Sequence, residues 1–478
     1  MSDIASWVTA KDLRHRLDAD FYRPEYLEFE HRAEARGLKV RQVVEISSLV
    51  TDGTHKTPSY VDSGVPFLSA KNIRNGFVDA GSGHKYVSAA EFDQLERWNC
   101  VPRPDDVLVA KSGSIGSAGL AKGAYDRFAV FESAAIIRPS GVSPAYLSAY
   151  LNSRLGQLQI RRNSKGAVIR HLHLEDLREV EVPLPDRRIQ DYIGAKVELA
   201  ERCRAVASRE REQLVTELAT LYEGCPHDAL SSLTTMVVTA DIDGSRLDAW
   251  YHQRHFISLT EWLHRNPAFV ELGKVASLSS DRWSPGAHGQ STFRYIEISN
   301  VDSSTGHVSH SEVPVENAPS RARKLVRGFD VLASTVRPNR GAVGLVPDSL
   351  DGAVATTGFA VVRPVSKTDA FFLLAVLRHP ASTAQLMRCN TGSAYPAIEE
   401  SVLPQIWIPG ATPGTRKSLG ARELRRTTLL QTAADLVNQA KADVEALIEG
   451  TLDVQAILAG TLKAPTANDV PELAEDGA

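Results

Sequence analysis

The sequence predicts an α+β protein made of two tandem, pseudo-symmetric copies of one domain, separated by two long helices that form an antiparallel coiled coil. Three observations support this prediction. Short sequence matches recur in the same order at a nearly constant offset, a segment almost without glycine or proline follows each copy, and apolar residues in those segments recur at coiled-coil spacing. A chain of 478 residues is long enough for several domains.

The composition restricts the class of protein. Hydrophobic residues make up 43% of the chain, which is enough for buried cores. The four cysteines form no CxxC pair, which disfavours a disulfide framework or a structural zinc site. No apolar stretch approaches the roughly 18 residues of a membrane helix, and the first residues lack the apolar core of a signal peptide. We therefore expect a soluble, cytoplasmic protein with no membrane partner.

The acidic excess is confined to one end of the chain. The net charge of −4 equals the four carboxylates of residues 467–478, so the rest of the chain is balanced. We predict an acidic tail over residues 463–478, either as a disordered end or as a weak competitor for basic loops. Bulk charge therefore neither supports nor excludes a nucleic-acid partner.

The internal repeat defines the two domains. RLDA at residues 16–19 recurs at 246–249, DVL at 106–108 recurs at 330–332, and IIRP at 136–139 corresponds to VVRP at 361–364. A polar turn that begins at Asn163 corresponds to one that begins at Asn390. The period is too long for a solenoid. We predict one domain over residues 1–186 and a second over residues 225–411.

Each domain precedes a predicted long helix, over residues 187–224 and 412–462. In the first helix, apolar residues recur every seventh position, and in the second they alternate steps of three and four. An amphipathic helix packed on its own domain is the simpler alternative. Two such helices after two repeats favour mutual antiparallel pairing, at seam positions that include Ile193, Ala200, Ala207, Leu214, Leu221, Leu430, Val437 and Val444.

Motifs of common enzymes are missing or incomplete. The chain has no GxxxxGK[ST] loop, and the glycines of residues 113–119 have the wrong spacing for a dinucleotide site. A nuclease-like Pro104-Asp105 precedes Lys111, but the acid expected two residues before the lysine is Val109. Histidine pairs lack a third ligand at metal-site spacing. We predict no catalytic residue, no metal and no cofactor in this chain.

Polar, basic loops at corresponding places in both copies indicate a surface for DNA. Lysine and arginine beside Ser, Thr and Asn suit phosphate anchoring and base-edge hydrogen bonding. A solvated charged surface, or another anionic partner, is the alternative. The candidates are Thr54, His55, Lys56, Lys71, Asn72, Lys111, Arg161, Arg162, Asn163 and Lys165 in the first copy, and Asn300, Arg337, Asn339, Arg340, Arg388, Asn390 and Tyr395 in the second.

The segments 49–73, 105–116 and 329–364 resemble the specificity subunits of type I restriction–modification systems. The resemblance implies that each copy is a target-recognition domain for one half of a split DNA sequence. It also implies that the paired helices hold the domains apart and dock two modification subunits, which carry the adenine methyltransferase and its S-adenosylmethionine. Restriction subunits would join in the nuclease form, and the specificity subunit itself would have no catalytic activity.

Helix length fits this role, because residues 189–222 would span about 50 Å at 1.5 Å per residue. Two reading domains separated by that length would leave the bases between them unread. Three other hypotheses stay open. They are a recognition subunit of another phage-defence system with the same architecture, a self-contained nuclease or methyltransferase, and a coiled-coil scaffold that does not bind DNA.

Overall fold

The structure is a computed structural model that describes residues 13, 19–74, 76–78, 84–122, 127–164, 171–226, 242, 246–286, 291–391 and 395–474. Contacts divide the chain into two compact units. The first unit comprises Met1–Val206 and Leu429–Ala478, and the second comprises Ala207–Thr428. Helices and strands are mixed in both, which confirms the predicted α+β composition. The finer domain limits drawn from the sequence stay a prediction.

The first unit holds twelve of the described strands and most of the short helices. In chain order they are α1 (Pro24–Ala35), β1 (Lys39–Gln42), β2 (Ser47–Asp52), β3 (Tyr60–Val61), β4 (Val65–Leu68), β5 (Ile73–Arg74), β6 (Phe77–Val78), β7 (Lys85–Val87), α2 (Ala89–Arg97), β8 (Val107–Ala110), β9 (Ala118–Leu120), β10 (Ala129–Val130), β11 (Ala134–Pro139), α3 (Pro144–Asn152), α4 (Arg154–Asn163), α5 (Leu174–Arg178) and β12 (Glu181–Leu184).

A long helix, α6 (Arg187–Leu221), follows, and its residues from Ala207 onward belong to the second unit. The second unit continues with α7 (Arg254–Arg265), β13 (Phe269–Glu271), β14 (Ala276–Leu278), β15 (Thr292–Ile296), β16 (Ser311–Pro314), β17 (Ala322–Leu325), β18 (Val331–Ser334), β19 (Val343–Leu345), β20 (Val354–Thr356), β21 (Phe359–Pro364), α8 (Lys367–Leu377), α9 (Pro380–Arg388) and β22 (Trp407–Pro409). A second long helix, α10 (Pro413–Glu449), then leads to α11 (Val454–Leu458) and α12 (Pro471–Ala474).

The two units share most of their sheet topology, although the edge strands of the second sheet pair differently. A four-stranded sheet has the order β2-β11-β8-β9 in the first unit and β14-β21-β18-β19 in the second. A second sheet contains a parallel pair in each unit, β4 with β10 and β15 with β20. An antiparallel ribbon joins the first and last strands of each repeat, β1 with β12 and β13 with β22. The repeated sequence matches therefore correspond to a repeated fold within the described residues.

One ion pair recurs at the same end of both four-stranded sheets, where β8 or β18 begins and β11 or β21 ends. Arg138 on β11 donates to both carboxylate oxygens of Asp106 at 3.0 and 2.8 Å, and Arg363 on β21 donates to Asp330 at 2.9 and 2.8 Å. Both aspartates are 1% exposed. The pairs explain why the DVL and VRP motifs recur together, because each motif supplies one partner of a buried bidentate pair.

Two equivalent glycines allow the long helices to approach the short helices of their own unit. A Cβ at Gly194 would lie 3.1 Å from the Ala145 Cβ on α3. A Cβ at Gly420 would lie only 2.7 Å from the Thr368 carbonyl oxygen on α8. At Gly420 the backbone of α8 leaves no room for a side chain, whereas at Gly194 a neighbour would have to shift by a few tenths of an ångström.

Ion pairs join α6 and α10 within each unit. In the first unit, the Lys196 ammonium on α6 pairs with Asp443 on α10. In the second unit, Arg422 on α10 donates to Glu217 at 2.6 Å and to Glu210 at 3.0 Å. Within the second unit, Arg425 also pairs with Glu210. The higher-numbered residue of α6 thus contacts the lower-numbered residue of α10, so the contacting segments of that unit run antiparallel. Coiled-coil packing as such stays a prediction.

The predicted bounds of the second long helix differ from the structure. The prediction placed its end at residue 462, but α10 ends at Glu449. Gly450 adopts a left-handed φ of 79°, and the next amide, that of Thr451, donates to the Ala446 carbonyl at 2.8 Å. A glycine in this conformation is a common helix terminator. The short helix α11 then begins at Val454.

The acidic tail is partly folded within the described residues. Val470 and Leu473 are 5% and 8% exposed, and α12 spans Pro471–Ala474. Burial raises the pKa of the Cys203 thiol on α6 to about 11, and the Glu472 carboxylate adds to this, which places the tail near α6 of the first unit. This part of the tail is therefore not a disordered end. All four cysteines are free thiols.

A buried carboxyl on α6 gives the first unit a predicted pH dependence. Glu201 is 6% exposed, and burial raises its pKa from 4.5 to about 8, although Arg204 and Lys122 partly oppose this. Its Oε1 atom has no hydrogen-bond partner among the described residues. Since the folded pKa is raised, this contribution to stability is full below about pH 4.5 and is lost as the pH rises to about 8.

We expect the free energy of unfolding of the wild-type protein to fall over this window, by at most about 1.4 kcal/mol per pH unit from this group. Glu201→Gln should remove that fall and be the more stable protein at pH 8. Urea denaturation at pH 5, 6, 7 and 8 would measure the effect. Glu198→Gln, at an exposed position of the same helix, is the control. An unchanged slope in Glu201→Gln would contradict the assignment.

None of the helices in the described part of the chain combines the length and apolar character needed to cross a bilayer.

Candidate nucleic-acid interface

Strand pairing brings the predicted loops of the first unit to one end of its sheet. Both β2 and β8 run antiparallel to β11, so their final residues meet the start of β11. Ala135 on β11 pairs with Asp52, and Ala134 pairs with Ala110. The turn after β2, the loop from β8 to β9 and the turn before β11 therefore lie together. The sequence named parts of the first two loops but could not show that they meet.

Two acidic residues in this cluster neutralise predicted DNA contacts. The Lys111 ammonium pairs with Asp52, and its side chain is only 17% exposed. The His55 ring lies between two carboxylates, with Nε2 3.2 Å from Asp52 Oδ1 and Nδ1 2.6 Å from Glu132 Oε2. Sequence analysis missed Asp52 and Glu132, because only strand pairing brings them to the basic residues. Lys111 therefore forms an ion pair within the unit and is not an exposed cation for a phosphate.

The buried side chains of Thr54 and Asn72 accept hydrogen bonds from backbone N–H groups of their own turns. The Thr54 hydroxyl accepts the Lys56 amide at 3.1 Å, and Thr54 is 4% exposed. The Asn72 amide oxygen accepts the Ser69 N–H at 3.1 Å, and Asn72 is also 4% exposed. In the second unit, Asn300 makes the same cap with the Glu297 N–H at 2.8 Å. These three side chains set turn geometry, whereas Lys56 and Lys71 on the same turns are exposed.

A cleft of about 460 Å³ lies between the β8–β9 loop and α4. Gly113, Ser114 and Ser117 line one side, and Arg161 lies on the other. The Gln157 side-chain amide, which the sequence did not single out, holds the loop by donating to the Gly116 carbonyl at 2.8 Å. Arg161 is exposed, whereas Asn163 at the end of α4 is 5% exposed. Lys165 lies outside the described residues.

Arg162 and Arg388 occupy equivalent positions and perform the same structural task. Arg162 donates to the Phe21 carbonyl at 3.0 Å, and its guanidinium lies 4.1 Å from the centre of the Phe21 ring. Arg388 donates to the Tyr251 carbonyl at 3.2 Å and lies 4.2 Å from the centre of the Tyr251 ring. Each arginine fastens the segment that follows the RLDA repeat. These contacts place Arg162 at 3% exposure, away from any surface for a phosphate.

In the second unit, two loops meet beside the end of β18. Ile398 donates its N–H to the Thr335 carbonyl at 2.9 Å, and Arg337 donates its N–H to the Pro396 carbonyl at 2.6 Å. Asn390 is 8% exposed, and its amide oxygen accepts the Ala397 N–H at 3.0 Å, so it closes the second loop. The side chains that stay accessible are those of Arg337, Asn339, Arg340 and Tyr395.

The accessible candidates define two surfaces. We call Lys56, Lys71 and Arg161 the first loop surface, and Arg337, Asn339, Arg340 and Tyr395 the second loop surface. Both carry cations near the same end of equivalent sheets, on loops except for Arg161, which lies on α4 opposite the β8–β9 loop. The chemistry differs, because the β8–β9 loop contains glycine and serine where the β18–β19 loop contains two arginines. Such surfaces can bind phosphates and present donors to base edges.

The residues predicted on the helix seams face the interior of their own units. In the first unit, Ile193, Ala200 and Val444 are 0% exposed and Val437 is 4% exposed. In the second unit, Ala207 and Leu214 are 2% and 6% exposed, and Leu221 packs half-buried against the core. Leu430 is also half-buried. These side chains are therefore buried or half-buried within their units, and their place in a helix–helix seam stays a prediction, while a docking partner would have to contact other faces of the helices.

Within the described ranges, no group of three or more His, Cys, Asp or Glu side chains is arranged to hold a metal ion.

No protein-family model matches the chain, and no curated protein matches it. Solved structures do match. The type I restriction–modification system S subunit from M. genitalium is 12% identical with a TM-score of 0.43, over 87% of this chain and 96% of that chain. The HsdS subunit from Thermoanaerobacter tengcongensis is 17% identical with a TM-score of 0.27, over 87% and 97%.

A third match comes from a structure described as the basis of complex assembly and conformational transition of the type I R-M system. It is 16% identical with a TM-score of 0.28, over 87% of this chain and 98% of that chain. All three structures come from type I restriction–modification systems, the group to which the sequence resemblance points.

Proposed function

We propose that this protein is the DNA-specificity subunit of a type I restriction–modification complex. Each unit would read one half of a two-part target in double-stranded DNA. The observation that carries the proposal is the repetition of one four-stranded sheet in both units, with candidate cations accessible near the end of each. One duplicated reading unit is what a two-part target requires.

The chemistry of the two loop surfaces suits this division of labour. Exposed lysines and arginines would anchor the phosphates, which fixes the position of the protein without sequence information. Arg337, Asn339 and Tyr395 carry side chains that can contact base edges or stack. Each correct bidentate contact contributes about 1–3 kcal/mol of discrimination, so a few contacts in each half-site suffice for a rare target.

The catalytic steps would belong to partners. Two modification subunits, each with an adenine methyltransferase and its S-adenosylmethionine, would dock on the outward faces of α6 and α10. Exposed side chains there, such as Val215 at 57% and Leu424 at 38%, are available for such contacts. Restriction subunits would join in the nuclease form. The complex would act in the cytoplasm, where the DNA is.

Methylation-aware sequencing of the host tests the proposal. We expect that deletion of the gene abolishes adenine methylation at one two-part motif, and that a plasmid copy of the full chain restores it. The DNA-specificity role requires this because the modification subunits alone would not find the site. An adenine-methylation pattern that is unchanged by the deletion would contradict the proposal.

A further inference from the structure

Arg337 occupies a backbone position that favours glycine. Its φ and ψ are 51° and 55°, in the left-handed region, where an L-residue with a side chain is disfavoured by about 1–2 kcal/mol. The equivalent position in the first unit is Gly113, with a φ of 69°. In both units the residue two places earlier, Lys111 or Thr335, donates its N–H at 2.8 Å to the turn before the next sheet strand. Both units therefore adopt this conformation at the same place, and only the second unit has a large side chain there.

Among the described residues, the one side-chain contact of Arg337 that bears on this strain is with the exposed Tyr395 ring. No carboxylate in the described part of the chain pairs with it, whereas Arg363 and Arg327 of the same unit both pair with Asp281. Its guanidinium carbon lies 4.4 Å from the centre of the Tyr395 ring. Tyr395 is itself 68% exposed, so the stacked pair adds little buried area.

The stacked arrangement does prepare the guanidinium for a planar ligand. Arg337 is half-buried and lies over the exposed Tyr395 ring, and a guanidinium in such a position can offer its planar N–H fork to two acceptors that lie in one plane. In the major groove of DNA, guanine presents such a pair through O6 and N7. The exposed side chains of Asn339 and Arg340 follow in the same turn and can reach neighbouring phosphates or bases.

We infer that Arg337, held against Tyr395, is a specificity-determining residue that reads the guanine of a G·C base pair in the half-site bound by the second unit. The inference rests on the proposed function and adds the identity of one base to it. The first unit has glycine at this position, so its half-site lacks the corresponding arginine contact.

Selection of binding sequences from a pool of randomised duplexes tests the inference with the full chain. The wild-type protein should return a two-part motif. Arg337→Gly restores the residue that the backbone favours, so its melting temperature should equal or exceed that of the wild type. Its selected motif should lose one G·C pair in one half-site, with discrimination at that pair reduced about tenfold or more, and the other half-site unchanged.

Two further variants separate reading from charge. Arg337→Lys keeps the charge but not the planar fork, and should also lose the guanine preference. Arg265→Ala removes an exposed charge on α7, outside the loop surfaces, and should return the wild-type motif. If the wild type selects no motif, the proposed function fails. If the wild type selects a motif and Arg337→Gly selects the same one, or loses affinity equally for all sequences, the inference fails and the proposed function stands.

Discussion

Replacing four exposed cations of the loop surfaces with alanine is expected to lower the affinity of the full chain for duplex DNA by about a hundredfold or more at moderate salt. Phosphate contacts release counterions, so each lost contact should also make the slope of log K against log salt less steep by about 0.9. Titrations at several salt concentrations measure both quantities. The four residues are Lys56, Lys71, Arg161 and Arg340.

A variant with the same change of net charge provides the control. Four cations elsewhere have side chains that are 63–79% exposed, and their replacement with alanine should leave the affinity nearly unchanged. These residues are Arg187, Arg188, Arg265 and Lys274. Equal losses of DNA affinity in both variants would show that only overall charge matters, and would contradict DNA binding at the loop surfaces.

The second large effect concerns the repeated buried ion pair. Asp330→Ala is expected to destabilise the second unit by about 3 kcal/mol, the lower end for a broken buried pair, because Arg363 loses its bidentate partner and keeps only the contact with Asp281 at 2.9 Å. The same substitution removes the acceptor of the Arg327 N–H at 2.9 Å. Asp330 and Asp281 together hold the pKa of Arg363 above its ordinary value, and the hydrogen bond with Asp330 is the largest cause. Hydrogen exchange of the β18 and β21 amides in urea reports on this unit.

The neighbouring surface pair gives a matched comparison. Arg327→Ala removes the pair with Asp281, but the Arg327 side chain is 61% exposed, so the effect should stay below about 1 kcal/mol. The double variant Asp330→Ala, Arg363→Met should recover part of the lost stability, because no buried charge is left alone. A loss in Asp330→Ala as small as that in Arg327→Ala would show that the buried pair is not structurally important.

Sequence analysis found the repeat because its short matches include residues that the fold constrains. Asp106 and Arg138 recur as Asp330 and Arg363, since each pair is buried in the sheet of its unit. The burial of helix residues such as Ile193 and Val444 was predictable because helical periodicity is visible in one segment alone. Local patterns and strict core requirements therefore made the fold class and the long helices predictable.

The candidate site was less predictable, because residue type alone cannot separate an exposed cation from a structural one. Arg162 and Arg388 have the composition of phosphate anchors, yet each clamps an aromatic segment that lies far away in the sequence. Lys111 has a similar setting in the sequence, but Asp52 lies beside it only after β2 and β8 meet β11. The recurrence of the basic turn thus reflected, in part, a shared structural contact.

A hydroxyl-radical footprint of the full chain on its selected duplex tests the central claim most directly. We predict two separate protected segments, one for each unit, with unprotected base pairs between them. Arg337→Gly should alter only one of the two segments. A single continuous protected segment, or none on any selected duplex, would contradict the proposal that a duplicated reading unit grips the DNA at two places.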